Sequence, residues 1–425
     1  MSNIHSACAS APGKVILFGE HAVVFGEPAV AAALSDLRIT VKVTPLTTKR
    51  VRIRMPDLLT PIDVTFNSLE LRLSTLHEPP TKSDVELIQR CILIQKPSLD
   101  ALSVSALVPI IYLTNRLTSI HLDTGLDVQV RSYDLPVGAG LGSSAAFGVA
   151  CVAALLRLSL LFPSSQPPPP LGRPTAEQLE TINTYSFYSE ILLHGSPSGI
   201  DNAVSTFGGA IDYTKTDGKT TMEKFDMPPL ELVLANTHVP RSTKLLVAGV
   251  RNLYEQHPSV MKSILTCMGS IARDFRRYHS GLETRNCSEL LTLVRTNQHM
   301  LRALGVSHPS LDRICAVVDQ VSDGAAAAKL AGAGGGGCAM IVMESGAKSK
   351  ETAQKIQDAL ENEKHDWKFS CLRSAVGQEG VLWVHPDDMQ DMSSADKGGG
   401  ISTRTGIVYT AAVISLMAMI LMRPR

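Results

Sequence analysis

The run Leu135-Pro136-Val137-Gly138-Ala139-Gly140-Leu141-Gly142-Ser143-Ser144-Ala145-Ala146 constrains this chain more than any other. Val128 to Arg131 alternates in the manner of a strand, the glycines follow, and Ser143 to Leu161 is rich in Ala, Leu and Val with no breaker except Gly148. A strand, a glycine turn and a largely buried helix are therefore expected in that order. Glycines let backbone N–H groups approach an anion closely, and a helix N-terminus adds a favourable dipole. Gly138, Ala139, Gly140, Leu141 and Gly142 are expected to cradle a phosphate-bearing ligand, with Ser143 and Ser144 placed to donate to phosphate or to ligate Mg2+. No Lys follows the loop and its glycine spacing differs from the dinucleotide fingerprint, so neither of the two commonest phosphate loops fits.

Three further segments bear chemistry. In Lys329 to Val342, five glycines fall within Gly332–Gly337, between a helical stretch and a strand-like one, which suits a buried loop better than a linker. In Ala11 to His21, Lys14 is read as opening an apolar strand with its ammonium at the strand mouth, and Glu20 and His21 follow in a turn. Taken alone, such a lysine is more often an ordinary strand-end charge. Glu190 ends a helical stretch, and Asp201 follows the tight turn Gly195-Ser196-Pro197-Ser198-Gly199. Phosphoryl transfer needs oxygen ligands for Mg2+ and a group beside the attacking hydroxyl, so these carboxylates are candidates for both tasks.

The chain has 425 residues, more than one core usually serves, so two domains are expected. Forty basic residues balance forty acidic ones, which gives no support for a nucleic-acid partner. The eight cysteines are scattered without a CxxC pair, so free thiols in a reducing compartment are expected rather than disulfides or zinc. Arg38 to Thr44 and Val51 to Met55 alternate as half-covered strands. Val104 to Leu117 reads as a buried helix, Thr175 to His194 as a helix opened by a Thr-x-x-Gln capping box, and Leu230 to Ala235 as a buried strand. Beyond Ser242 helices dominate. The expected division is an N-terminal domain over 1–228, interrupted by a proline-rich surface insertion at 163–174, and a C-terminal domain over 229–390. A linker at 391–405 leads to an apolar tail at 406–422.

Together, Ala11 to Val24, Gly138 to Ala146, His194 to Thr206, Thr237 to Lys244 and Gly332 to Cys338 resemble the GHMP kinases, and within them the branch that phosphorylates mevalonate. The resemblance runs from about residue 7 to 385. It implies an α+β fold of two domains, the first like the second domain of ribosomal protein S5 and the second ferredoxin-like, with ATP bound between them. It implies ATP-dependent phosphorylation of the C5 hydroxyl of mevalonate, and a homodimer. By the same resemblance Asp201 takes or orients the hydroxyl proton, Lys14 lowers that hydroxyl's pKa, and Ser144 and Glu190 hold Mg2+. His21 faces the substrate, Glu20 orients the Lys14/Ser144 region, and Arg241 and Thr243 are substrate-side candidates, arginine because its planar guanidinium suits a carboxylate. Family members commonly carry Thr where this chain has Ala331.

Other readings stay open from sequence: a GHMP kinase with another acceptor such as phosphomevalonate, homoserine or a sugar, and a pseudokinase or membrane-tethered scaffold. The uncharged stretch from Gly406 to Met422 lies at the lower limit of a membrane span, and a helix packed on the body accounts for it as well. A cytoplasmic location is expected, with a tail anchor in an internal membrane, and so membrane contact, as the alternative. Lys14-Val15, five residues, then His21-Ala22 also fits an N-terminal peroxisomal signal, a match that the active-site motif accounts for without it.

Overall fold

The computed structural model describes residues 6–58, 60–118, 123–136, 140–161, 169–216, 219–225, 227, 230–279, 287–343, 349–363 and 367–389. Val137, Gly138 and Ala139, the first half of the proline-rich insertion (163–168), the linker and the apolar tail lie outside them.

The first half is a sheet covered by helices. β1 (Ala7–Phe18) pairs antiparallel with β2 (Ala29–Pro45), and β2 pairs antiparallel with β5 (Gly125–Tyr133). β3 (Arg50–Met55) lies parallel to β5 and antiparallel to β4 (Ile62–Asn67). A hairpin of β6 (Ala210–Thr216) and β7 (Lys219–Phe225) joins the other end of β2, with residues 217 and 218 of the expected turn outside the described set. Helices α1 (Lys82–Gln95), α2 (Ala101–Leu117), α3 (Ser143–Leu160), α4 (Ala176–His194) and α5 (Ile200–Phe207) complete this half.

α3 is apolar all round and packs on β1, β2, α2, α4 and α5, which is why it is buried on every side. Among described residues it is the one helix long and apolar enough to cross a membrane, and it is a core helix here. Its buried Arg157 donates to the carbonyls of Pro169 (2.9 Å) and Pro170 (3.1 Å) and stacks 5.1 Å from the Trp383 ring centroid. Two carbonyls from the middle of the proline-rich insertion thus accept from donors that the helix would otherwise bury unsatisfied.

The second half is a βαββαβ unit, the ferredoxin-like arrangement. β8 (Leu230–Asn236), β9 (Ala326–Leu330), β10 (Cys338–Met343) and β11 (Ser370–Val376) form an antiparallel sheet in the order β11-β8-β10-β9. Helices α6 (Thr243–Gln256), α7 (Pro258–His279), α8 (Cys287–Ala303), α9 (Pro309–Val321) and α10 (Ser349–Glu361) accompany it. The buried apolar residues gather into two clusters, one mainly from each half. The two sheets meet where Val376 of β11 pairs with Leu34 of β2. β12 (Leu382–Trp383) returns to pair with β1, and the Trp383 indole donates to Ala153 O of α3 at 3.0 Å.

Three sequence expectations change. The stretch leading into Gly332–Gly337 is the strand β9, paired with β10, and not a helix. β2 starts at Ala29, well before the alternating Arg38 to Thr44, because Ala29 to Leu34 is buried on both faces and so shows no period of two. Lys14 does not open its strand. It sits in the middle of β1, at a register shift between Pro12 and Lys14 where the pairing with β2 breaks step. A bulge of this kind re-aims a side chain.

Candidate active site

The bulge directs Lys14 toward the start of α3. Its backbone N–H donates to Leu141 O at 2.8 Å, and its aliphatic stem passes over Gly142. A Cβ on Gly142 would lie 2.7 Å from Lys14 Cγ, and its φ of 71° belongs to the left-handed region, so glycine is required there twice over. The buried ammonium reaches Asp201 Oδ1 at 3.1 Å. Asp201 lies in the first turn of α5, which Gly199 opens at φ 83°. The same helix is fastened to β1 by Ser205 Oγ, which donates to Pro12 O at 2.7 Å.

α3 and α4 bring the second carboxylate to this point. A Cβ on Gly148 would stand 2.9 Å from Ser189 Oγ, so the missing side chain is what lets α4 lie close against α3. Glu190, beside Ser189, is thereby buried near Ser144. Burial, and then the Asp201 charge, push the Glu190 carboxyl up to about 7, while Ser144 and Lys14 pull the other way. Its Oε1 has no hydrogen-bond partner among the described residues. His194, one helical turn on, sets Nε2 3.3 Å from Ser144 Oγ and 3.8 Å from Glu190 Oε2. Burial lowers its pKa, and Asp201 opposes the shift. The sequence motifs assign His194 no role, although the spacing of 190 and 194 puts both on one helix face.

Beside these groups lies an apolar cavity of about 170 Å3 that sequence reading missed. Ile39, Met55, Val130, Phe147 and Leu193 line it together with Ser143 and Ser144. Its walls come from β2, β3, β5, α3 and α4, so only the tertiary fold assembles it.

The other half contributes the glycine loop after β9. Gly332, Gly334, Gly335, Gly336 and Gly337 all have positive φ, which few other residues adopt without strain. Arg241 lies between this loop and the first one. A Cβ on Gly140 would overlap its guanidinium and one on Gly337 would stand 3.0 Å from its Nε, while Nη1 donates to Ala331 O at 3.2 Å. Arg241, expected on the substrate side, is thus held against both glycine loops. Thr243 is the exposed first residue of α6.

The turn after β1 also differs from expectation. Glu20 makes no hydrogen bond or ion pair to Lys14 or Ser144 among the described residues. Its carboxylate is ion-paired with the fully buried Lys329 of β9 and accepts from Asn297 Nδ2 at 3.2 Å. A buried carboxylate needs a buried cation, and β9 supplies one. His21 sets Nε2 2.8 Å from Ala333 O, and its buried Nδ1 has no hydrogen-bond partner among the described residues. Gly138 and Ala139 lie outside the described residues, so the structure places Gly140, Leu141, Gly142, Ser143 and Ser144 of the loop.

A cation–carboxylate pair, a glycine-backed helix N-terminus, a carboxylate raised toward neutrality and a second glycine loop together suit the transfer of a phosphoryl group from a nucleotide to a small alcohol. Comparison with known proteins gives this class its name. Residues 107–209 match the GHMP kinases N terminal domain and residues 279–366 the GHMP kinases C terminal domain. The chain is 36% identical over 394 residues to mevalonate kinase of Bos taurus, covering 90% of this chain and 96% of that one. It is also 36% identical over 390 residues to mevalonate kinase of Homo sapiens, covering 88% and 93%. The crystal structure of L. major mevalonate kinase in complex with R-mevalonate shares the fold, with a TM-score of 0.61 and 23% identity over 87% of this chain and 96% of that one. The chain belongs to the mevalonate kinase family of the GHMP kinases.

Proposed function

We propose that this cleft transfers the γ-phosphoryl group of ATP to the C5 hydroxyl of mevalonate. The observation that carries the reading is the Lys14–Asp201 pair, 3.1 Å apart and packed on Gly142 beside the N-terminus of α3. The nucleotide base enters the apolar cavity next to Ser143, and the triphosphate runs over Gly138 to Ser144 at the helix N-terminus. Asp201 accepts a hydrogen bond from the C5 hydroxyl and receives its proton as the oxygen bonds to the γ-phosphorus. The bond from that phosphorus to the β–γ bridging oxygen breaks, and ADP leaves. Lys14 screens the charge that develops between hydroxyl and phosphate, so positioning and electrostatics supply most of the rate. His21 faces the acceptor side.

Ser144 Oγ and the unpartnered Glu190 Oε1 form a hard oxygen donor set suited to Mg2+ on the nucleotide. When bound, Mg2+ neutralises charge on the β- and γ-phosphates. An ADP-release assay over mevalonate, phosphomevalonate, homoserine and galactose tests the acceptor. Signal with mevalonate is expected; silence with mevalonate and signal with another alcohol would overturn the choice of acceptor.

The same reading includes a division into domains near residue 228, a homodimer and a cytoplasmic location. The two apolar clusters support the first and the family resemblance the second. The seven described cysteines are free thiols, which fits a reducing compartment. Sedimentation and cell fractionation are the respective tests of the last two.

A further inference from the structure

The turn that follows β1 is gripped by the second half of the molecule along its whole length. Ala22 belongs to the second apolar cluster, and Glu27 accepts hydrogen bonds from Thr266 (3.0 Å) and Arg273 (3.2 Å) of α7. His21, held at a φ of 60° that non-glycine residues rarely take, meets Ala333 O. The innermost contact is the ion pair of Glu20 with Lys329, 1% and 0% exposed. Lys329 also donates to Leu330 O at 3.0 Å, and its ammonium lies 5.7 Å from the Phe18 ring centroid.

A buried ion pair is weak support for stability, because desolvation offsets most of the attraction. Two well-packed neutral side chains would fill the same space, so the pair calls for a reason beyond holding the fold. Its location supplies one. Glu20 lies two residues past the end of the strand that carries Lys14 and directly precedes His21, while Lys329 is the penultimate residue of the strand that leads into the Gly332–Gly337 loop. A fixed distance between these two side chains sets the spacing of both strand ends, one of which bears the lysine of the Lys14–Asp201 pair.

We propose that Lys329 is a positioning residue for phosphoryl transfer: through Glu20 it fixes His21 and the adjoining glycine loop relative to Lys14, and so sets acceptor affinity without touching the acceptor. This rests on the reading that His21 faces the acceptor side.

The test compares the double variant Glu20→Gln/Lys329→Met, which replaces the pair by neutral side chains of similar size, with His21→Asn and with the unaltered chain. Each is measured for thermal midpoint, for kcat, and for KM toward mevalonate and ATP separately. The double variant is expected to fold and to raise the mevalonate KM roughly tenfold while leaving the ATP KM within about twofold. A pair that serves only the fold would leave both KM values alone whichever way the thermal midpoint moves, and that result overturns the proposal. If His21→Asn raises the mevalonate KM and the double variant does not, the positioning role fails while the reading of His21 stands. If His21→Asn leaves the mevalonate KM unchanged, the reading of His21 fails first and the inference with it. Should the double variant not fold, Glu20→Asp keeps the charge, shortens its reach by one methylene, and carries the same comparison.

Discussion

At the residue scale, two carboxylates a helix apart take different work from different surroundings. Asp201 keeps 34% of its side chain exposed beside Lys14, whereas Glu190 is buried and pushed up to about 7. Replacing Asp201 with Asn should lower kcat by about 10² to 10⁴-fold, the usual weight of a positioned proton acceptor, while calorimetry still detects ATP binding. Unchanged turnover would refute the role. For Glu190 the folded pKa lies above its ordinary value of 4.5, so its contribution to stability is complete below about 4.5 and is lost as the pH rises through about 7. Glu190→Gln should therefore raise the ligand-free melting temperature at pH 8, by up to about 3 kcal/mol in stability, and make no difference near pH 4. In the unaltered chain kcat/KM for the metal–nucleotide should fall on the acid side of about pH 7, since a protonated Glu190 ligates poorly, and that limb should be missing in the variant. Lys14, Ser144, Glu190 and Asp201 were legible as residues because short motifs surround each. The partner of Glu20 was not: Lys329 lies 309 positions away, and nothing in the sequence around either residue points to the other.

At the scale of elements, legibility followed the covering of each face. Arg38 to Thr44 shows its strand because one face is wet, while Ala29 to Leu34, in the same strand, is dry on both sides and reads as nothing in particular. Gly148 was readable as a lone glycine in a long apolar helix, yet its purpose needs the neighbouring helix in view. Gly148→Ala should cost about 1–3 kcal/mol of stability by overpacking against Ser189. Because Glu190 follows Ser189, the same change should raise the KM for metal–ATP more than that for mevalonate. Equal KM values in a folded variant would show that α4 carries Glu190 independently of the Gly148 contact. Lys14 illustrates the limit of element reading: its strand was legible, but the register shift that turns its side chain toward Gly142 is a property of the pairing with β2.

At the scale of the whole molecule, the described site residues come from β1 and the turn after it, α3, α4 and α5 in one half and from the β8–α6 and β9–β10 loops in the other. A chain truncated after Ser394 should therefore turn over at the full-length rate in an ADP-release assay, and comparison of the two in membrane pellets tests whether the 406–422 stretch anchors the protein. The sequence by itself determined the class of fold and the chemistry through a family resemblance, carried by motifs a few residues long that hold a lysine, a serine and two carboxylates; the local patterns of period-two strands and an apolar helix opened by glycines agree with it. Only the tertiary structure decided which charges face one another. Glu20 went to Lys329, Arg241 went between two glycine loops, and residues of β2, β3, β5, α3 and α4 closed around one cavity. Such pairings join positions about one hundred to three hundred residues apart, and their energy depends on burial and distance, quantities that exist only once the chain has folded.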